Sequence, residues 1–134
     1  MSISKRLNKA LSVGVAFTIL CLPVAALADV AVEITTAATH AGYSAAATNL
    51  QDAEMHLQHT LNCLVGPGGD GFSKTALNPC NGNGNGIIPD ETDATKKATL
   101  EQLAAEARAG LASKDLATMK KDAGDIETKL KAMK

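Results

Sequence analysis

The chain contains three histidines, and two of them lie close to a cysteine and a carboxylate. His56, His59 and Cys63 belong to the stretch HLQHTLNC, and Asp52 precedes His56 by about one helical turn. At 100° per residue, a helix places these four side chains within about 60° of one another on its surface. Imidazole and thiolate are good zinc and copper ligands, and carboxylate is a usable third partner for zinc. The spacing therefore indicates a candidate transition-metal site.

The N-terminus predicts export. Basic residues precede an apolar stretch at 11–22, and Ala-Leu-Ala at 26–28 comes just before Asp29. This order is typical of a secretory signal peptide, and the apolar stretch is shorter than the roughly 20 residues that a bilayer span needs. We therefore expect residues 1–28, with Cys21, to be removed, and the mature chain to be periplasmic or secreted.

The two cysteines that remain, Cys63 and Cys80, predict a disulfide in an oxidising compartment. Closing a loop of this length removes on the order of 3 kcal/mol of unfolded-chain entropy. An oxidised cysteine is no longer a thiolate ligand, so the metal site and the disulfide compete for the sulfur of Cys63. Export favours the disulfide.

Without that sulfur, the candidate metal ligands are Asp52, His56 and His59, with His40 as a further candidate. On a straight helix His40 lies about 100° from His59 and more than four turns away. His40 therefore joins the set only through a helix break, a neighbouring chain or a second site. The alternative interpretation is that these histidines face solvent beside a disulfide.

A second candidate site is the stretch NGNGNGIIPD at 81–90. Asn81, Asn83 and Asn85 alternate with glycines, and Asp90 follows, in a frame that resembles a calcium loop over residues 81–92. Position twelve of this frame is Thr92, where a calcium loop has a bidentate glutamate. Repeated Asn-Gly is also ordinary turn sequence. The pattern predicts weak calcium binding or a structural turn.

The mature chain divides into a first helical region at 29–65, a Gly/Pro/Asn-rich loop at 66–91 and a helical hairpin at 92–134. Apolar residues recur at steps of three and four in both helical regions, beginning with a stripe from Tyr43 to Leu64. We expect the first helix to start near Thr36, with a break at Gly42 left open, and to stop at Gly66. Thr92 or Asp93 is the predicted cap of the next helix, and 110–113 the turn after it. The predicted fold is a small all-α antiparallel bundle of three or four helices in one domain, with a disulfide-stapled loop.

Composition argues against several functional classes. Removing residues 1–28 leaves 10 Lys and Arg against 14 Asp and Glu, and a mildly acidic chain without a basic cluster does not predict nucleic-acid or membrane-surface binding. There is no c-type heme motif and no phosphate loop, so neither heme nor a nucleotide is expected. The serines at 44, 73 and 113 have no histidine next to them in sequence, which does not predict an enzyme.

The signal peptide, the size and the Ala/Gly/Leu rhythm of AEARAGLASKDLATMKKDAGDIETKLKAMK, together with His40, His56 and His59, resemble small periplasmic metal-binding proteins that fold as helical bundles. This resemblance covers the helical parts and implies binding of copper, nickel or zinc. The family's histidines recur along every helix, whereas the closing helices here have none. The alternative function is a non-enzymatic envelope protein that presents the disulfide-closed loop to a protein partner.

Overall fold

The computed structural model describes residues 28–134, so the predicted signal peptide lies outside the described residues except for Ala28. This part of the chain is helical, with α1 at Val30–Ala46, α2 at Leu50–Val65, a short α3 at Ile87–Asp90, α4 at Ala94–Ser113 and α5 at Leu116–Lys131. The four long helices pack in the cyclic order α1, α2, α4, α5. The predicted all-α bundle is confirmed. None of the helices within 28–134 has the length and apolarity to span a bilayer.

The first helical region consists of two helices, so the apolar stripe from Tyr43 to Leu64 is not on one continuous helix. The expected start near Thr36 is also wrong. Helix α1 begins six residues earlier, at Val30, where the Asp29 side chain accepts a hydrogen bond from the Val32 amide. Helix α1 ends at Ala46. Asn49 caps the start of α2, where its side chain accepts a hydrogen bond from the Asp52 amide at 2.9 Å. Gly42 lies inside α1. Tyr43, the first residue of the expected stripe, lies on α1 and is 54% exposed.

The core is built mainly from small and aliphatic side chains. Three alanines of α1 are fully buried, which lets this helix pack closely against its neighbours. Leucines of α2 and α4 and the apolar stripe of α5 fill the space between the helices. The members of this set with at most 1% exposure are Ala37, Ala38, Ala41, Ala53, Leu57, Leu61, Leu64, Leu100, Leu103, Ala104, Ala107, Met119, Ala123, Ile126 and Leu130.

Helices α4 and α5 form the predicted hairpin, but the turn between them lies later in the sequence than expected. Asp93 caps α4 as expected, but Gly110 lies within α4 and the turn is at 114–115. Gly110 is a packing position, since a Cβ there would lie 3.0 Å from Leu57 Cδ2. Lys129 of α5 forms an ion pair with Glu106 of α4 at 2.8 Å and so joins the two helices.

The predicted disulfide between Cys63 and Cys80 is present, with 5.2 Å between the Cα atoms. Gly66 ends α2 with a φ of 67°, as expected for a helix stop. The buried side chain of Asn62 holds the loop: its amide nitrogen donates to the carbonyls of Ser73 and Leu77, and its Oδ1 accepts from the Ser73 amide. The Leu77 side chain is 63% exposed and does not pack into the core.

Candidate metal centre

The hairpin of α1 and α2 brings all three histidines together. His40 comes from the third turn of α1, and His56 and His59 come from the facing side of α2. One ring nitrogen from each lies within 4.8 Å of the others. The His40 ring centroid is 5.5 Å from that of His56 and 5.1 Å from that of His59. Of the alternatives open for His40, the helix break is the one that the structure shows.

Two of the ring nitrogens have the spacing of ligands around one ion. His40 Nδ1 and His56 Nδ1 are 3.3 Å apart. Two imidazole nitrogens bound tetrahedrally to one zinc at its usual bond length are separated by about 3.3 Å. In a metal-free protein the same pair forms a hydrogen bond, with one ring donating and the other accepting.

His59 Nδ1 is buried and has no hydrogen-bond partner among residues 28–134. The whole residue is 7% exposed, so water does not readily compensate for this atom. A buried polar atom without a partner costs about 1–3 kcal/mol. A metal ion bound by the neighbouring imidazoles is one partner that this nitrogen can take.

Burial and the neighbouring rings lower the pKa values of His40 and His59. Burial, followed by the proximity of His59 and His56, lowers the pKa of His40 to about 4. Burial and His56 also lower the pKa of His59. Neutral imidazole is the form that binds metals, so protons do not compete strongly for these two side chains at neutral pH.

The cluster is open on one side. A surface cavity of about 310 Å³ lies next to it and is lined by residues that include Tyr43, Asp52 and His56. The Tyr43 ring packs edge-on against His40, with centroids 5.7 Å apart, and lies 5.2 Å from His56. The three histidines therefore border solvent at His56 and are covered at His59.

The other two predicted ligands lie elsewhere. Asp52 is exposed at the first turn of α2, where its carboxylate accepts a hydrogen bond from the Asn49 side chain at 2.7 Å, and it is not among the three clustered ligands. Cys63 is buried in its disulfide. Its sulfur is therefore not a thiolate ligand in this state.

The candidate calcium loop folds around Asp90. The Asp90 carboxylate accepts hydrogen bonds from the Asn85 backbone and side-chain nitrogens, the latter at 2.9 Å. Asn81 is exposed, and the backbone of Asn83 joins the loop to the start of α1 through the Asp29 amide at 2.8 Å.

Sequence reasoning missed two features of these sites. Tyr43 was assigned to the core, although its i,i+3 spacing from His40 places both on one side of α1. Glu33 was not considered, although it is completely buried and faces the 81–90 loop. The spacing could have revealed Tyr43, but nothing local in the sequence marks Glu33.

Comparison of this chain with protein-family models, with curated protein sequences and with solved structures gave no match.

Proposed function

We propose that this protein is an exported, non-enzymatic metal-binding protein that holds one divalent transition metal at His40, His56 and His59. The observation that carries the proposal is the convergence of three ring nitrogens from two helices within 4.8 Å. The disulfide is compatible with an oxidising compartment, which supports export.

The donor set favours copper, zinc or nickel over calcium or magnesium. Imidazole nitrogen suits these transition metals, whereas calcium and magnesium prefer oxygen. For a given nitrogen site, the affinity order among divalent ions places Cu²⁺ highest, above both Ni²⁺ and Zn²⁺. We therefore expect Cu²⁺ to bind most tightly.

Three protein ligands leave a coordination position open. The cavity beside His56 gives water or another small ligand access to this position. Asp52 lines the same cavity and can contact such a ligand without binding the metal itself. An accessible position suits reversible loading and exchange better than a closed structural site does.

Calorimetric titration of the mature protein, residues 29–134, with Cu²⁺ and Zn²⁺ tests the proposal. We expect one ion per chain for the wild type. The double variant His56→Ala, His59→Ala should lose the binding, and His40→Ala alone should weaken it about 10-fold or more, because each removes a direct ligand.

Asp52→Asn is a control variant, because Asp52 is a charged residue close to the histidines but outside the cluster. It keeps the shape of the side chain and should leave the stoichiometry and the affinity nearly unchanged if Asp52 is outside the ligand set. No heat of binding for the wild type, or equal binding by the double variant, would remove the histidine site. The protein-contact function of the 66–91 loop would then be the better account.

A further inference from the structure

The buried carboxylate of Glu33 lies outside the histidine site and has no charge partner within residues 28–134. Glu33 is completely buried in α1, its Oε1 accepts a hydrogen bond from the Gly86 amide at 3.2 Å, and its Oε2 has no partner in this part of the chain. It takes part in none of the five ion pairs of residues 28–134. An unpaired buried carboxylate is strongly unfavourable unless it is protonated or meets a cation.

A second carboxylate lies beside it. A Cβ built on Gly84 would collide with Asp90 Oδ2 and would lie 2.9 Å from Glu33 Oε1, so the two oxygens flank the same backbone position. Asp90 also has no basic partner among the described ion pairs. Its two hydrogen bonds from Asn85 leave lone pairs free on both oxygens.

We propose that Glu33 and Asp90 form a Ca²⁺ site beneath the 81–86 loop, separate from the histidine site. The donors are two carboxylates, and calcium prefers oxygen ligands. This site differs from the calcium loop expected over residues 81–92. Its ligands are the charged carboxylates of α1 and α3, whereas the expected loop relied on neutral asparagine amides.

The charges around Glu33 support a cation there. Burial, followed by the charge of Asp90, raises the pKa of Glu33 to about 7, with a smaller contribution from Asp29 in the same direction. Without calcium, the folded protein therefore binds a proton more tightly than the unfolded chain. Stability should then fall as the pH rises from 4.5 to about 7, and Ca²⁺ should restore it above pH 7 by replacing the proton.

Thermal unfolding at pH 8, in millimolar Ca²⁺ and in EDTA, tests the proposal. We expect Ca²⁺ at ten times its dissociation constant to raise the Tm of the wild type by about 5 °C. Glu33→Gln and Asp90→Asn should each remove this difference, since each deletes one charge with little change of shape. Glu101→Gln, which alters an exposed carboxylate of α4, should retain it.

Equal Tm values for the wild type in Ca²⁺ and EDTA would overturn the calcium site, and so would a Glu33→Gln protein that still responds to Ca²⁺. The His56→Ala, His59→Ala variant should keep the calcium response. Its transition-metal binding is measured separately, so either site can fail without the other. Calorimetry with Ca²⁺ on Asp90→Asn provides a second readout if Glu33→Gln does not fold.

Discussion

At the scale of single residues, the histidine cluster shows how burial sets protonation. His59 Nδ1 has no hydrogen-bond partner within the described part of the chain, and His40 Nδ1 faces His56 Nδ1 at 3.3 Å. Protonating a second ring would place two like charges together in a partly buried position. His40 and His59 are therefore neutral near pH 7, which is the form of imidazole that binds metals.

This protonation state predicts an acid-sensitive metal-free protein. The pKa of His40 is about 4 in the folded state and 6.5 in the unfolded state, so the unfolded chain binds the proton more tightly. The contribution of His40 to stability is present above pH 6.5 and is lost as the pH falls to about 4. Urea unfolding across this range should show a shallower loss for His40→Gln than for the wild type.

Comparison between the variant and the wild type is necessary because Glu33 has the opposite pH dependence. An identical pH dependence of the unfolding free energy in both proteins would contradict the buried, neutral state assigned to His40.

At the scale of helices, the break between α1 and α2 brings His40 next to His56 and His59. Asn49 caps α2 through the Asp52 amide. Asn49→Ala should lower the free energy of unfolding by about 0.5–2 kcal/mol, because an uncapped helix loses one hydrogen bond at its start. The neighbouring exposed Thr48→Ala is the control. If chemical denaturation shows equal stability for both variants, the cap is not what fixes this turn.

The disulfide has a structural effect that is separable from the metal site. Replacing both Cys63 and Cys80 by serine should lower the free energy of unfolding by about 2–5 kcal/mol. Under conditions where this variant remains folded, its transition-metal stoichiometry should equal that of the wild type, because the ligands are imidazoles. Loss of metal binding in a folded variant would indicate that the ligand set includes sulfur.

The periodicity of apolar residues and the capping residues in the sequence predicted the positions of most helices and several of their ends. The leucine spacing indicated α2, Asp93 marked the start of α4, and Gly66 marked the end of α2. The break at 47–49 was not predicted, because alanine continues a helical pattern while Thr48 and Asn49 are weak signals. The position of His40 depends on this break. The local sequence therefore predicted the proximity of His56 and His59, whereas the contribution of His40 required the tertiary structure.

At the scale of the whole molecule, a bundle with a core of small side chains holds the site between two helices. Leu57 lies one residue after His56 and is completely buried. Leu57→Ala should lower the free energy of unfolding by about 2–5 kcal/mol through lost burial and a cavity. Thermal or urea unfolding measures this cost, and the exposed Met55→Ala serves as the control. Similar losses for both variants would contradict the assigned packing of α2.

The predicted export of the protein can be tested on the whole chain. If residues 1–28 are a signal peptide, intact-mass measurement of protein recovered from the cell envelope should give the mass of a chain that begins at Asp29 and contains one disulfide. Protein that retains its N-terminus and both free thiols would contradict export, and the sulfur of Cys63 would again be available as a ligand.

The most direct test of the metal centre is electron paramagnetic resonance of the mature protein with one equivalent of Cu²⁺. We predict a single copper species with magnetic coupling to imidazole nitrogens, and loss of that species in the His56→Ala, His59→Ala variant. A spectrum of free or heterogeneous copper, or an unchanged spectrum in the variant, would contradict the central claim that the histidines of α1 and α2 bind one ion.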